Sequence, residues 1–312
     1  MTPWRIAWCL LPVGLALAAQ DRFILAILAL AAVQALYAAS WDLAGGVSGQ
    51  PTLGHALPLG AGAYATALVS GWGLAPPPVA IASGALAGGL IGALQGRLVA
   101  RLHPVSVALV TLATAECVHE MSGMVRVQWP GGIIVGGDSG IPAVIYPPGE
   151  TAAAYLTAAV LTAGLVGLLW IAHSGPGLAM RVARTDPRLA AASGIDVARV
   201  RMLALTIAGT TAGLAGGLGA ALVGRASPST LALDASLFAM ATAGVGGRGS
   251  IIGPAAVAYA TTAVFQWLDV PATGRLALYA LLLIAAGLVP SAATRLGGDR
   301  HTRGGPEGAR AK

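Results

Sequence analysis

Three ionisable residues close to the end of an apolar run are the first candidates for chemistry. Glu116, His119 and Glu120 follow one another at spacings of three and one residues. On a helix this spacing puts all three near one face, where such side chains can hold a metal ion or relay protons. Because no second histidine lies nearby, we predict no metal site and assign Glu116 a structural or pathway-lining role.

Asp42 and His55 flank a break in the apolar pattern. The glycine-rich runs at 45–51 and 60–62 are typical of a discontinuous helix, whose free backbone groups can meet a polar solute. Close packing of helices and ordinary capping of helix ends explain the same residues equally well. Both interpretations stay open at this point.

A short helix is predicted inside the polar stretch 174–201. Asp186 suits the position before a helix, Pro187 the first turn, and Gly194 the left-handed end. A helix of about two turns is marginal alone in water, so residues 187–193 need a surface to pack on. Either this is a coupling helix that docks into a soluble partner, or it is an incidental helix in an arginine-rich topogenic loop.

Catalytic motifs are missing from the sequence. It has no GxxxxGK[ST] phosphate loop, no HExxH pair and no nucleophile elbow. The glycine cluster at 244–250 lacks the lysine that a nucleotide cradle needs. We therefore predict no catalytic residues and no cofactor bound by this chain.

The elements that position these residues must lie in lipid. Only 10% of the 312 residues are charged and 56% are hydrophobic, whereas soluble domains carry about 25% charged residues. A spanning helix needs roughly 20 apolar residues. The sequence predicts an all-α, polytopic bundle with about ten spans, namely 4–19, 23–41, 53–71, 79–100, 104–124, 151–173, 202–223, 231–246, 251–268 and 276–293.

Basic residues set the expected orientation. With the N-terminus inside, fourteen of the 18 Lys and Arg residues are cytoplasmic, and only Arg22, Arg126, Arg225 and Arg275 are not. We expect both termini inside, a transmembrane domain over 1–293, an outer loop at 125–150, an inner loop at 174–201 and a disordered basic tail at 294–312. Residues 1–18 can be read as the first span or as a signal peptide.

Five motifs in order give the chain a resemblance to the permease subunits of branched-chain amino acid ABC importers. They cover roughly residues 25–290 and are GHALPLGAGAY at 54–64, TLATAE at 111–116, SGPG at 174–177 with AASGI at 191–195, AGLAGGL at 212–218, and GGRGS with GP at 246–254. Leu178 stands where the family usually has Arg. Residues 136–140 resemble the family's TGGSDGL with Ser and Asp exchanged.

The resemblance implies a transport subunit with broken helices near a shared pathway. The implied partners are a second related permease, two cytoplasmic ATPases that carry ATP and Mg, and a periplasmic or lipid-anchored solute-binding protein, all at a bacterial inner membrane. It places the coupling helix at about 184–195. The candidate coupling residues are Arg181, Arg184, Asp186, Pro187, Arg188, Leu189, Ala192 and Gly194. The pathway candidates are Asp42, His55, Gly60, Gly62, Tyr64 and Glu116, and the binding-protein contacts are Gly136, Gly137 and Asp138.

The expected cargo is a branched-chain or other apolar amino acid. The same family also carries urea and short amides, which stay an alternative. An ion-driven secondary transporter is a second alternative and would need coupling carboxylates in mid-membrane. A membrane-embedded enzyme is a third and would need clustered catalytic groups.

Overall fold

The computed structural model of the chain describes residues 12, 14–19, 21–268, 274, 277–279 and 281. The predicted all-α membrane bundle is confirmed. Its helices are α1 Arg22–Asp42, α2 Ala56–Gly71, α3 Pro77–Val99, α4 Pro104–Met124, α5 Glu150–His173, α6 Gly175–Thr185, α7 Pro187–Ala192, α8 Val197–Val223, α9 Leu233–Gly246 and α10 Ile252–Trp267. Most of the predicted spans 4–19 and 276–293, and the tail 294–312, lie outside the described residues.

Local sequence signals explain where many of these helices begin and end. Proline occupies the first turn of α3, α4, α6 and α7, where its missing N–H costs no hydrogen bond. The Asp196 carboxylate accepts a hydrogen bond from Arg199 N at the start of α8. Gly224 ends α8 in the left-handed conformation, with φ 78°.

Four helical stretches among the described residues are long and apolar enough to cross a membrane. They are Arg22–Val47, Pro77–Val99, Glu150–His173 and Val197–Val223. The 21-residue helix α4 is long enough, but it carries Glu116 and Glu120. Helix α9 has 14 residues, about 21 Å, so it is too short to cross alone, and a 3₁₀ turn at Pro228–Leu231 precedes it. The segment predicted as the span 231–246 is therefore a short helix preceded by a 3₁₀ turn.

The core is built around α1. Its C-terminal half is buried on nearly all sides, and Tyr37 and Trp41 are among the largest fully buried side chains. Helices α5, α8, α9 and α10 pack around it in one continuous apolar cluster. Asp42, the last residue of α1, is therefore held deep inside protein.

Glycines let α3 and α8 cross in direct backbone contact. A Cβ atom added to Gly88 would lie 2.8 Å from Gly213 N, and one added to Gly209 would lie 2.8 Å from Gly92 Cα. Small residues at such crossings allow the close packing that holds helices together in lipid. This pair shares the largest helix–helix contact among the described elements.

Several short elements other than α-helices were not predicted. A π-helical turn, Leu43–Val47, follows α1 directly. The outer loop contains the antiparallel pair β1 Arg126–Gln128 and β2 Ile134–Gly136, with Val127 opposite Val135, followed by a 3₁₀ turn at Gly137–Ser139. Strand β3, Ile141–Pro142, pairs with β4, Arg225–Ala226, and so ties this loop to the end of α8.

Candidate functional site

A non-helical segment, residues 48–55, interrupts the bundle between the π-helical turn and α2. We call it the broken segment. Side chains from three helices pair with its backbone. Trp41 Nε1 donates to Thr52 O at 2.8 Å, Gln95 Nε2 donates to Gly54 O at 3.1 Å, and Thr111 Oγ1 accepts from Leu53 N at 3.2 Å. Irregular backbone inside a membrane protein persists only where protein or a water-filled cavity satisfies it.

The end of the broken segment is fixed in the same way. Ser236 Oγ on α9 accepts a hydrogen bond from Ala56 N at 2.9 Å. His55 is 1% exposed, and its ring stacks on Tyr37 with centroids 5.3 Å apart. The Ser40 hydroxyl donates to Tyr37 O at 2.6 Å and lies 2.9 Å from His55 Nε2. The Ser40 hydroxyl therefore joins the His55 ring to the backbone of α1.

Of the two interpretations left open for residues 60–62, the structure supports close packing and not a discontinuous helix. Gly60 and Gly62 lie inside the regular helix α2. Gly60 packs against the Leu231 side chain, and a methyl group on Gly62 would lie 2.5 Å from Gly213 Cα. Glycine is needed at both positions because neighbouring elements contact the helix backbone there, and α2 continues through them without a break.

An apolar groove of about 730 Å³ runs between α2, α3 and α4. Tyr64, a predicted pathway residue, lines it together with Gln95, Thr114 and Ser122, and the rest of the lining is nearly all apolar. Glu116 is half-buried on α4 beside the groove residue Cys117. Asp42 and His55 are buried away from this groove, so Tyr64 is the predicted pathway residue that reaches it.

The predicted helix in the inner loop is confirmed as α7. The Asp186 carboxylate caps it by accepting hydrogen bonds from Arg188 N at 2.9 Å and Leu189 N at 3.1 Å, and Gly194 follows with φ 81°. Ala190 is fully buried against the bundle, whereas Leu189 is 60% exposed. The preceding helix α6 was not predicted, and it begins at Gly175.

The C-terminal end of α6 reaches the π-helical turn. Arg184 Nη1 donates to Gly46 O. The adjacent Asp42 carboxylate accepts from Gly249 N at 2.7 and 2.9 Å and from Ile251 N at 2.8 Å. Sequence reasoning treated Asp42 as a pathway or capping candidate and missed its partner, which lies more than 200 residues away. The glycine cluster at 244–250 was the available signal.

A family model described as "Branched-chain amino acid transport system / permease component" matches residues 23–286. This covers 264 of the 312 residues. The chain belongs to that permease family. A search of curated proteins gave no significant match, and a search of solved structures gave none either.

In the permease, the three predicted binding-protein contacts, Gly136, Gly137 and Asp138, lie next to one another at the 3₁₀ turn. Gly136, with φ 119°, precedes the 3₁₀ turn, and Gly137, with φ 64°, is its first residue. The turn contains the exposed Asp138. A side chain at Gly136 would press on Val125 O and lie 3.2 Å from Arg126 Cα, so the sheet β1–β2 requires glycine there. Their contact with a binding protein stays a prediction.

The ionisable residues on α4 of the permease do not converge. His119 Nδ1 lies 3.0 Å from Pro228 O, which ties α4 to the 3₁₀ turn before α9. Within the described part of the chain, no group of three or more His, Cys, Asp or Glu side chains is arranged to hold a metal ion. Glu116 keeps its predicted structural or pathway role.

Proposed function

We propose that this permease is one membrane subunit of an ATP-driven importer for branched-chain or other apolar amino acids. It forms half of an alternating-access pathway in a bacterial inner membrane, with both termini in the cytoplasm. Family membership supports the transport role, and the excess of basic residues in the predicted inner loops supports the orientation.

The exposed face of α7 is the observation that carries the coupling to ATPases. This helix has six residues, a charged cap and one buried side chain, Ala190. A helix this short is not stable by itself, and it presents Leu189 to solvent beside Arg188. An apolar residue displayed on a capped helix with a basic rim fits a groove on a soluble partner.

Helix α4 supports the presence of a second permease chain. In this chain α4 buries only Val107, Thr111 and Ala115, and it carries the half-buried Glu116 and the exposed Glu120. A carboxylate facing lipid is costly. A related permease chain, with a water-filled pathway between the two α4 helices, gives these carboxylates a polar surrounding and covers the groove.

Co-purification tests this proposal. A tagged chain solubilised from its own host membrane should bring down ATP-hydrolysing subunits and a second permease. Replacing Leu189 by Asp should remove the ATPase subunits, because it puts a charge at the centre of the docking face. Leu74→Asp is the matched control, because Leu74 is 68% exposed in the turn between α2 and α3.

Two outcomes would overturn the proposal. One is ATPase binding that Leu189→Asp leaves intact. The other is ion-driven uptake by the purified chain alone, which would make it a secondary transporter. Uptake of labelled leucine against labelled urea by the reconstituted complex decides the cargo class.

A further inference from the structure

Three segments meet at the inner-loop end of the bundle. They are the π-helical turn Leu43–Val47, the C-terminal end of α6, and residues 247–251 between α9 and α10. We call their meeting point the junction. A methyl group on Gly46 would lie 2.7 Å from Asp42 Cγ, and it would also meet the Gly249 backbone. The junction therefore has no space between the turn, the carboxylate and the 247–251 loop.

Asp42 is committed entirely to this loop. It is 0% exposed, and its two carboxylate oxygens share the amide protons of Gly249 and Ile251. Hydrogen bonds to an ionised acceptor are stronger than neutral ones. Arg184 and Arg248 both lie near the carboxylate, so two of the three segments bring a cation close to Asp42.

The loop that Asp42 holds is strained. Ile251 has φ 63° and is fully buried. A β-branched residue in this region is an outlier, and such a conformation persists only where surrounding contacts over-determine it. Gly247 and Gly249, with φ 90° and 85°, flank it in a backbone conformation that glycine adopts freely.

Arg184 connects the same place to α6. Its guanidinium donates to Gly46 O in the π-helical turn. A Cβ atom on Gly49 would lie 3.0 Å from Arg184 Cβ and 3.2 Å from its Cδ. Arg184 therefore contacts the turn and the start of the broken segment together, and His55 follows six residues after Gly49. Irregular helical turns of this kind often lie at functional sites.

We propose that Asp42 and Arg184 are positioning residues that join α6 and the 247–251 loop to the π-helical turn, so that a shift of α6–α7 moves the broken segment. The source of that shift rests on the proposed function, in which an ATPase docks on α7. The junction is the place where this motion enters the membrane-embedded helices.

Amide hydrogen exchange tests the Asp42 contact on the purified chain. Asp42→Asn keeps the shape and one carbonyl oxygen, but it loses the charge and one acceptor. We expect the amides within 247–252 to exchange about tenfold faster, because bonds to a charged acceptor are replaced by fewer neutral ones. Asp21→Asn is the matched control, since Asp21 precedes the other end of α1 and its side chain caps nothing.

Transport stoichiometry tests the transmission. In the reconstituted complex, Arg184→Ala should lower the solute moved per ATP hydrolysed by about tenfold while ATPase subunits stay bound. Arg184→Lys, which keeps a charged donor, should recover a large part of the ratio. Arg101→Ala removes an exposed cation elsewhere and should leave the ratio unchanged.

Unchanged exchange within 247–252 in Asp42→Asn, or a wild-type ratio in Arg184→Ala, would overturn the junction. A merely structural role would lower thermal stability in both variants and leave the ratio at its wild-type value. Failure of the ATPases to co-purify with the wild-type chain would instead overturn the proposed function, and the exchange measurement on the isolated chain would still decide the Asp42 contact.

Discussion

In this permease, individual buried side chains form hydrogen bonds with the backbone of the broken segment. Trp41, Gln95 and Thr111 come from three different helices, and each pairs with one peptide group between residues 52 and 54. A buried peptide group without a partner costs more than a hydrogen bond contributes when it is made. These side chains therefore determine whether the break can exist at this depth.

Thr111→Val tests this dependence with a change of nearly constant shape. Valine removes the acceptor of Leu53 N, and a buried unpaired donor costs about 1–3 kcal/mol. We expect a lower melting temperature in thermal unfolding of the purified chain. Thr114→Val is the matched control, because Thr114 Oγ1 bonds only to Val110 O and Thr111 O of its own helix. Equal melting of the two variants would contradict the prediction.

Residue roles were the part of the site that the sequence predicted least well. Asp42 and His55 were marked because they flank a break, and the break is real. Their partners could not be predicted: the Asp42 carboxylate binds amides 207 and 209 positions later, and such long-range contacts leave no local pattern. The cap formed by Asp186 is local, and it was predicted correctly.

At the scale of elements, helix crossings depend on positions where nothing larger than hydrogen fits. Gly84, Gly88 and Gly92 on α3 face Gly209 and Gly213 on α8. The spacing of four residues repeats the same face at each turn. The two backbones can then make the extensive contact that lipid-embedded helices use in place of hydrophobic collapse.

Gly88→Ala should disrupt this crossing. Overpacking at such a contact costs about 1–3 kcal/mol, so the variant should melt earlier and give less folded protein. Gly167→Ala on α5 is the control, because a Cβ atom there meets nothing within 4 Å. Alanine also favours helix over glycine by up to about 1 kcal/mol, so the control should be neutral or slightly stabilised. A stable Gly88→Ala variant would show that the helices can separate freely.

Element bounds followed from the sequence where the signals were local. Pro187 predicted the start of α7, and the span that became α4 was placed from residue 104; both agree with the structure. The start of α8 was placed at 202 and lies at Val197, because the arginines there were assigned to the loop. Strand β3 pairs with β4 some 80 residues away, and no composition rule reports such a pairing.

At the scale of the whole molecule, the face of the bundle formed by α4 is left largely uncovered. Helix α4 buries little of its surface, with Leu109 at 60% and Met121 at 64% exposure. It also carries the carboxylates that should avoid lipid. The second permease chain proposed above would cover this face.

Photo-crosslinking tests which face of the bundle contacts the second permease chain. A photoreactive residue at Leu109 or Met121 should capture a second permease chain in the native membrane and give a band near twice the chain's mass. The same residue at Trp170 on α5, which is 71% exposed, should capture lipid only. Equal capture at all three positions, or capture at Trp170 alone, would place the partner elsewhere.

The glycine crossing of α3 and α8 also has a genetic consequence. Every amino acid that can replace glycine through a single-base change carries at least a Cβ atom. No such substitution preserves the space at Gly88, Gly209 or Gly213. Gly167, where the backbone is helical and a Cβ atom would meet nothing within 4 Å, offers room for such additions. Drift in this gene is therefore confined at the α3–α8 crossing and freer at positions such as Gly167.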